Sequence, residues 1–380
     1  MLRALICAGI AAQLCVPASF CVAAAWAGVR KPVPKAKVSK IKKSRKRAVS
    51  PWKAPTYADS TLGDHIDGED LPVRRAAVQA LGRYNGSVVV ADPASGRILT
   101  IVNQRVALQS GFQPCSTIKL VTGLAALSEG VIERDTMLRL SRRVRLDLTS
   151  AMARSNNPFF ANLGRQLGFE RVTRYARLFG LGEKAGLDIE GELPGVLPQV
   201  PPRNGGVGMM TSFGEGISLT PLGLTSLLSA IANGGTLYYL QYPRSLEEVA
   251  AFVPRVKRQL DIAPWLDDIK SGMKAAVEYG TARRAAYGPE DIVMGKTGTC
   301  TDYRAATHLG WFGSFNDTGS DTRRKLAVVV LLTGGKPVNG AVAAGVAGAF
   351  YRNLSQESLV ATAPELSETE LLATQACGGC

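Results

Sequence analysis

Histidine is almost absent from the 380 residues: only His65 and His308 occur, and neither lies near a candidate serine. This excludes a serine–histidine couple and leaves proton transfer in any serine chemistry to lysine. Acidic residues are missing from Gly28 to Ala58, where eleven Lys and Arg fall. With Arg3 these carry twelve of the formal +14, so residues 59–380 hold only +2. The positive charge therefore belongs to one segment, and nucleic acid is not an expected partner of the globular part. From Ser355 to Cys380 it is bases that are missing, beside Glu357, Glu365, Glu368 and Glu370, which reads as an acidic flexible tail. The Cys377/Cys380 pair has no neighbouring histidine, which is weak support for metal, and no metal or other cofactor is expected.

What is present at the N-terminus speaks to compartment. Arg3 precedes an apolar stretch from Ala4 to Ala24, and Ala25-Trp26-Ala27 fits the small-residue rule for cleavage before Gly28. Residues 1–27 read as a signal peptide for export to the periplasm or cell envelope. A retained membrane anchor is the alternative, against which Pro17 and the basic block beyond it argue. Residues 28–58 read as a basic linker, disordered from Val29 to Pro55 for want of apolar material. Its bland role is a solvated tether; its sharper one is to hold the protein near anionic cell-envelope polymers. Cys7, Cys15 and Cys21 would leave with the signal, so Cys115, Cys300, Cys377 and Cys380 remain, an even number suited to an oxidising compartment.

Three short runs carry the chemistry: Ser116-Thr117-Ile118-Lys119, Ser155-Asn156-Asn157 and Lys296-Thr297-Gly298-Thr299. The S-x-x-K spacing also occurs at Ser39, Ser50 and Ser271, and alone it proves nothing. Ser116 differs in its setting: Pro114 breaks the preceding segment, and Ile118, Leu120, Val121, Leu124, Ala125 and Leu127 form an apolar helical pattern ending at Gly130. That pattern puts the serine in the first turn of a buried helix, with Lys119 on the same face and the positive end of the helix dipole beside it. A second S-x-N stands at Ser314-Phe315-Asn316, whereas Lys296-Thr297-Gly298-Thr299 is unique and follows the strand-like Ile292-Val293-Met294.

The rest of the chain supports a split domain of mixed α/β class. Strand patterns fall at Ser87 to Ala91, Arg97 to Val102, Val293 to Cys300, His308 to Ser314 and Leu326 to Leu332, and Val338 to Leu354 reads as a closing helix. Two front strands and three back strands would form one five-stranded antiparallel sheet flanked by helices, within a domain over 59–354. About residues 131–212 would be an inserted all-helical lobe, with Phe159, Phe160, Leu163 and Leu167 on one helix face and Gly168 as a stop. The three runs would meet in the cleft between lobes.

Together these runs resemble the signature of the penicillin-binding protein and serine β-lactamase superfamily. The resemblance extends over roughly residues 80–355, including Gly86 to Asn103, Phe213 to Gly235, Tyr279-Gly280-Thr281-Ala282 and His308 to Phe315, which look like transpeptidase domains. It implies a D,D-transpeptidase in which Ser116 attacks the carbonyl between the terminal D-alanines of a peptidoglycan stem peptide, and in which β-lactams acylate the same serine. Lys119 would take the serine's proton, Ser155 would relay one to the departing amine, and Asn157 would bind the acyl chain. Lys296, Thr297, Gly298 and Thr299 would hold the substrate's carboxylate, and the amides of Ser116 and Thr299 would form an oxyanion hole. Because the family places the first and third runs side by side, the resemblance also implies a Cys115–Cys300 disulfide, with two separate buried thiols as the alternative.

Each role has a competitor. Asn157 precedes Pro158 and suits a helix cap; Thr297 and Thr299 suit any strand; His308 suits a core strand; Tyr238 and Tyr239 suit packing. Glu190 and Glu192 are not read as bases for deacylation. A D,D-carboxypeptidase, a serine β-lactamase and a non-enzymatic β-lactam sensor remain alternatives. No E-x-x-L-N loop is evident, which disfavours the lactamase, and nothing resembles a signalling segment beyond the N-terminal apolar stretch.

Overall fold

The computed structural model describes residues 52–109, 111–288, 292–302, 306–317 and 325–362, with side chains to residue 356. The expected export signal, the basic run from Arg30 to Arg47 and the Cys377/Cys380 pair lie outside these residues. Among the described residues no helix is long and apolar enough to cross a membrane.

The sheet has five antiparallel strands, in spatial order Ile98–Val102, Gly86–Ala91, Ala327–Gly334, Thr307–Asp317 and Ile292–Asp302. Each strand overlaps its predicted range, and the strand of the third run continues to Asp302. Ala327–Gly334 is buried along its whole length because both sheet faces are covered. Its alternate residues divide between two cores. Val328, Val330 and Leu332 pack with helices Leu71–Leu81 and Gly340–Thr362, through Val73, Ala77, Ala347 and Phe350. Val329 and Leu331 face the opposite core, with Leu124, Leu227 and Leu228 of helices Lys119–Ser128 and Pro221–Ala232. A period of two in the strand thus builds a three-layer domain.

Between the strand pairs, residues 131–212 carry the helices Leu148–Ala153, Asn157–Leu178 and most of Gly206–Phe213, plus a ribbon pairing Leu138–Arg139 with Arg145–Leu146. Gly168 breaks the long helix with φ 78° and ψ 164°, after which a second helical stretch continues. Phe159, Phe160, Leu163 and Leu167 share the buried face toward helix Lys119–Ser128.

Two predicted boundaries move. Residues 52–58, assigned to the linker, are docked: Lys53 N donates to Ala306 O, Asn85 Nδ2 to Pro55 O, and Gly335 N to Thr56 Oγ1. Their aromatic rings explain why, since Trp52 lies 5.9 Å from the His308 ring and Tyr57 lies 5.7 Å from Tyr84. At the other end, helix Gly340–Thr362 runs past the predicted stop at Leu354, because no proline or glycine interrupts it there.

Candidate active site

Ser116 sits in a single 3-10 turn, Cys115–Ile118, that feeds directly into helix Lys119–Ser128. Cys115 has φ 51°, so the chain reverses just before the serine; Ser155 has φ 53°. Left-handed conformations at non-glycine residues cost on the order of 1 kcal/mol or more and persist only where the surroundings impose them. One such constraint is covalent. Cys115 and Cys300 form a disulfide with Cα atoms 5.6 Å apart, tying the nucleophile turn to the Ile292–Asp302 strand across a sequence separation of 185 residues.

Lys119 is the centre of the arrangement. Its Nζ lies 3.0 Å from Ser116 Oγ, 3.0 Å from Ser155 Oγ and 2.7 Å from Ser155 O, and it also donates to Asn157 Oδ1. From the other side Lys296 Nζ donates to Ser155 Oγ at 2.8 Å and to Thr297 O at 2.9 Å. Both lysine side chains are completely buried. Burial, with the Lys296 charge second, pushes the Lys119 amine down to about 6, and burial pushes Lys296 down to about 7. Neither ammonium has a carboxylate partner among the described residues. A fully buried amine without a counter-ion sheds its proton near neutral pH and becomes a base.

Ser116, Ser155, Asn157, Thr281, Thr297 and Thr299 line a cleft of about 620 Å³, together with Phe213, Arg283, Arg284 and Asn339. Thr297 Oγ1 is 2.6 Å from Thr281 Oγ1, and Thr299 Oγ1 accepts from Gly340 N at 2.8 Å. Gly298 is closely packed: a Cβ there would lie 3.1 Å from Pro114 O, 3.2 Å from Trp311 Cβ and 3.3 Å from Cys115 Cβ, so its neighbours would have to give by a few tenths of an ångström. The structure brings all three runs to one place, each from its own element.

The competitor roles separate in the same way. The helix Asn157–Leu178 is capped by Asn156, whose side chain accepts from Phe159 N at 2.9 Å; Asn157 is the first helical residue, and its side chain turns to Lys119 instead. The rival Ser314 and Asn316 are buried in the Thr307–Asp317 strand, where Asn316 Oδ1 accepts from Leu326 N. The rival Ser271 lies mid-helix and donates to Asp267 O. Glu192 is buried and accepts from the amides of Ala185 and Gly186, so it organises its own loop and does not line the cleft. His308 bonds Thr301 Oγ1 at 3.1 Å, away from Ser116. Among the described residues no group of three or more His, Cys, Asp or Glu is placed to hold a metal ion.

Sequence reasoning missed Arg283, Arg284 and Asn339 as cleft residues. Thr281 was noticed within Tyr279 to Ala282 without a role. Its register to Thr297 depends on how helix Leu266–Glu278 packs on the strand, which no local pattern encodes.

The family model described as the penicillin binding protein transpeptidase domain matches residues 86–355. The chain belongs to that family. Stage V sporulation protein D of Bacillus subtilis (strain 168) is 32% identical over 244 residues, covering 57% of this chain and 38% of that protein. Peptidoglycan D,D-transpeptidase MrdA of Escherichia coli (strain K12) is 24% identical over 274 residues, covering 57% of this chain and 43% of that protein. The chain thus spans about two-fifths of the length of these two relatives. A crystal structure of Pseudomonas aeruginosa PBP2 in complex with WCK 5153 shares the fold, with a TM-score of 0.62 and 22% identity over 77% of each chain. A transpeptidase domain of this family accounts for the sheet, the position of the helical insert between its strands, and the convergence of the three runs.

Proposed function

We propose that this penicillin-binding protein transpeptidase domain is a serine D,D-transpeptidase that works on D-Ala-D-Ala stem peptides of peptidoglycan and is acylated by β-lactams. The observation that carries the reading is Lys119 Nζ at 3.0 Å from both Ser116 Oγ and Ser155 Oγ, in a buried site that holds its amine at about 6. With Lys119 neutral, the Ser116 hydroxyl donates its proton to Nζ as Oγ bonds to the carbonyl carbon. The C–N bond to the terminal D-alanine then breaks, and the leaving nitrogen takes a proton through Ser155, which Lys119 Nζ and Lys296 Nζ both contact. An amine from a second stem attacks the acyl-enzyme by the reverse route. Backbone amides of Ser116 and Thr299 serve the developing oxyanion, while Lys296, Thr297 and Thr299 receive the substrate carboxylate.

Transfer is favoured over hydrolysis by the described cleft lining, which includes no carboxylate to activate water. Export to the cell envelope, with residues 28–47 holding the domain near anionic polymers, completes the proposal. Its test is incubation of the purified protein with labelled penicillin. Persistent label on the protein, lost in Ser116→Ala, supports the reading. Rapid release of hydrolysed drug would make the domain a β-lactamase, and label without any peptide turnover would make it a sensor. For the basic segment, deleting Lys31 to Arg47 should lower retention on isolated walls at low salt more than at high salt.

A further inference from the structure

Arginine is concentrated in one part of the helical insert. From Val131 to Gly180 there are ten arginines, four acids and no lysine, although residues 59–380 as a whole carry only +2. Four of the ten, Arg139, Arg142, Arg143 and Arg145, belong to the ribbon that pairs Leu138–Arg139 with Arg145–Leu146. All four are exposed.

The ribbon is held from one side only. Leu146 is buried and Leu138 and Leu140 are half-buried against the core, and Leu140 N donates to Val144 O at 2.9 Å. On the alternate positions Arg139 stands directly opposite Arg145, a register in which like charges repel. None of the four arginines has a carboxylate partner among the described residues, and Arg139 donates only to Ser141 O of the ribbon itself, at 3.3 Å. Other arginines of the insert are paired, Arg134 with Asp268, and Arg171 and Arg174 with Glu129. Asp147, the acid next to the ribbon, is already committed: its carboxylate caps helix Leu148–Ala153 by accepting from Ser150 N at 2.7 Å.

Two apolar side chains stand in water beside these charges, Met137 at 52% and Val144 at 41% exposure. A soluble polyanion would reward the arginines alone. A bilayer surface would reward both groups, because lipid phosphates take guanidinium groups bidentately and the interfacial layer takes apolar side chains. We infer that this ribbon is a docking site for the surface of an anionic phospholipid bilayer. The inference is independent of the acyl-enzyme reading. Its consequence is positional: helix Leu148–Ala153 leads from the ribbon to the Ser155 run over a rise of about 9 Å, so docking holds the active cleft close to the membrane.

The test incubates the full chain with vesicles of phosphatidylcholine alone or mixed with phosphatidylglycerol, and follows amide hydrogen exchange by mass spectrometry. The ribbon has few backbone hydrogen bonds of its own, so contact is read there locally, whatever the N-terminal apolar stretch does. Exchange over residues 138–146 should slow about tenfold or more with the mixed vesicles, stay unchanged with phosphatidylcholine alone, and recover as salt rises. Replacing the four arginines together, by Arg139→Gln, Arg142→Gln, Arg143→Gln and Arg145→Gln, should abolish the slowing with a melting temperature near wild type. If that variant melts early, Met137→Ser combined with Val144→Ser takes its place; it should weaken protection by the mixed vesicles and leave protection by inorganic polyphosphate unchanged. Equal slowing by both kinds of vesicle, no slowing by either, or slowing that survives the four replacements would overturn the inference. Polyphosphate protecting the ribbon as well as the mixed vesicles do, with no effect of the Met137 and Val144 replacements on either, would overturn it too, by assigning the ribbon to a soluble polyanion.

Discussion

Two clusters of buried charge lie on different sides of this domain, and they are built on opposite rules. In the first, Arg74 NH2 donates to Asp64 Oδ2 at 2.8 Å and Arg74 NH1 to Glu69 Oε2 at 3.1 Å. Glu69 also accepts from Thr100 Oγ1, Ile101 N and Tyr242 OH, and Asp64 accepts from Asn103 N and Gln104 N. Each charge has its counter-charge and its remaining lone pairs are met, so the cluster pins the Ile98–Val102 edge strand and offers no labile proton. In the second, Lys119 and Lys296 are buried at least as deeply with no carboxylate between them. Burial pushes both amines down, with the Lys296 charge adding to the fall of Lys119, to about 6 for Lys119 and about 7 for Lys296. Burial is common to both clusters; the presence of a counter-ion decides whether it yields structure or a base.

The comparison can be broken most severely at the nucleophile. Ser116→Ala should abolish penicillin labelling while leaving the melting temperature near wild type, as a gel assay beside a thermal melt would register. Next, Lys119→Met should lower the acylation rate by about 10²–10⁴-fold, the usual contribution of a positioned base, without loss of fold. At the paired cluster the sign reverses: Glu69→Ala should cost about 3–5 kcal/mol in denaturant unfolding, because buried Arg74 loses one of its two carboxylates and Thr100, Ile101 N and Tyr242 lose their acceptor, yet the folded fraction should label at the wild-type rate. Reducing or deleting the Cys115–Cys300 bond should cost about 2–4 kcal/mol, given the long loop it closes.

The finest discrimination is by pH. Acylation should rise as Lys119 deprotonates around pH 6, falling about tenfold per unit below that, an effect absent from the paired cluster. Stability carries the same signature. Between about pH 6 and the unfolded lysine value of 10.5 the unfolded chain binds more protons, so stability should rise with pH across that window and be lost as pH falls through 6. Replacing both lysines with methionine should flatten that slope; an unchanged slope would mean the amines are not depressed.

How far these clusters were legible beforehand differs between them. Ser116 and Lys119 announce themselves because a spacing of three on a helix start is a local geometry, and the apolar repeat behind it fixes which S-x-x-K is buried. The five strands were readable because short apolar runs such as Ala327–Gly334 report a sheet covered on both faces. The Arg74 cluster was invisible: Asp64, Glu69, Thr100 and Tyr242 share no periodicity, and Tyr242 arrives from 173 residues beyond Glu69. The cap at Asn156 was misplaced by one residue, because Pro158 is compatible with either the first or the second helical position.

By itself the chain determined its family pattern, the order of its strands and the identity of a nucleophile with its neighbouring amine. These are properties of residue type and short spacing. Only tertiary structure decided that Lys296 would share Ser155 with Lys119 and that Arg283 and Arg284 would line the same cleft as Ser116. Proton affinity and field depend on distance and burial through space, and Ser155 and Lys296, which meet around Lys119, lie 141 positions apart.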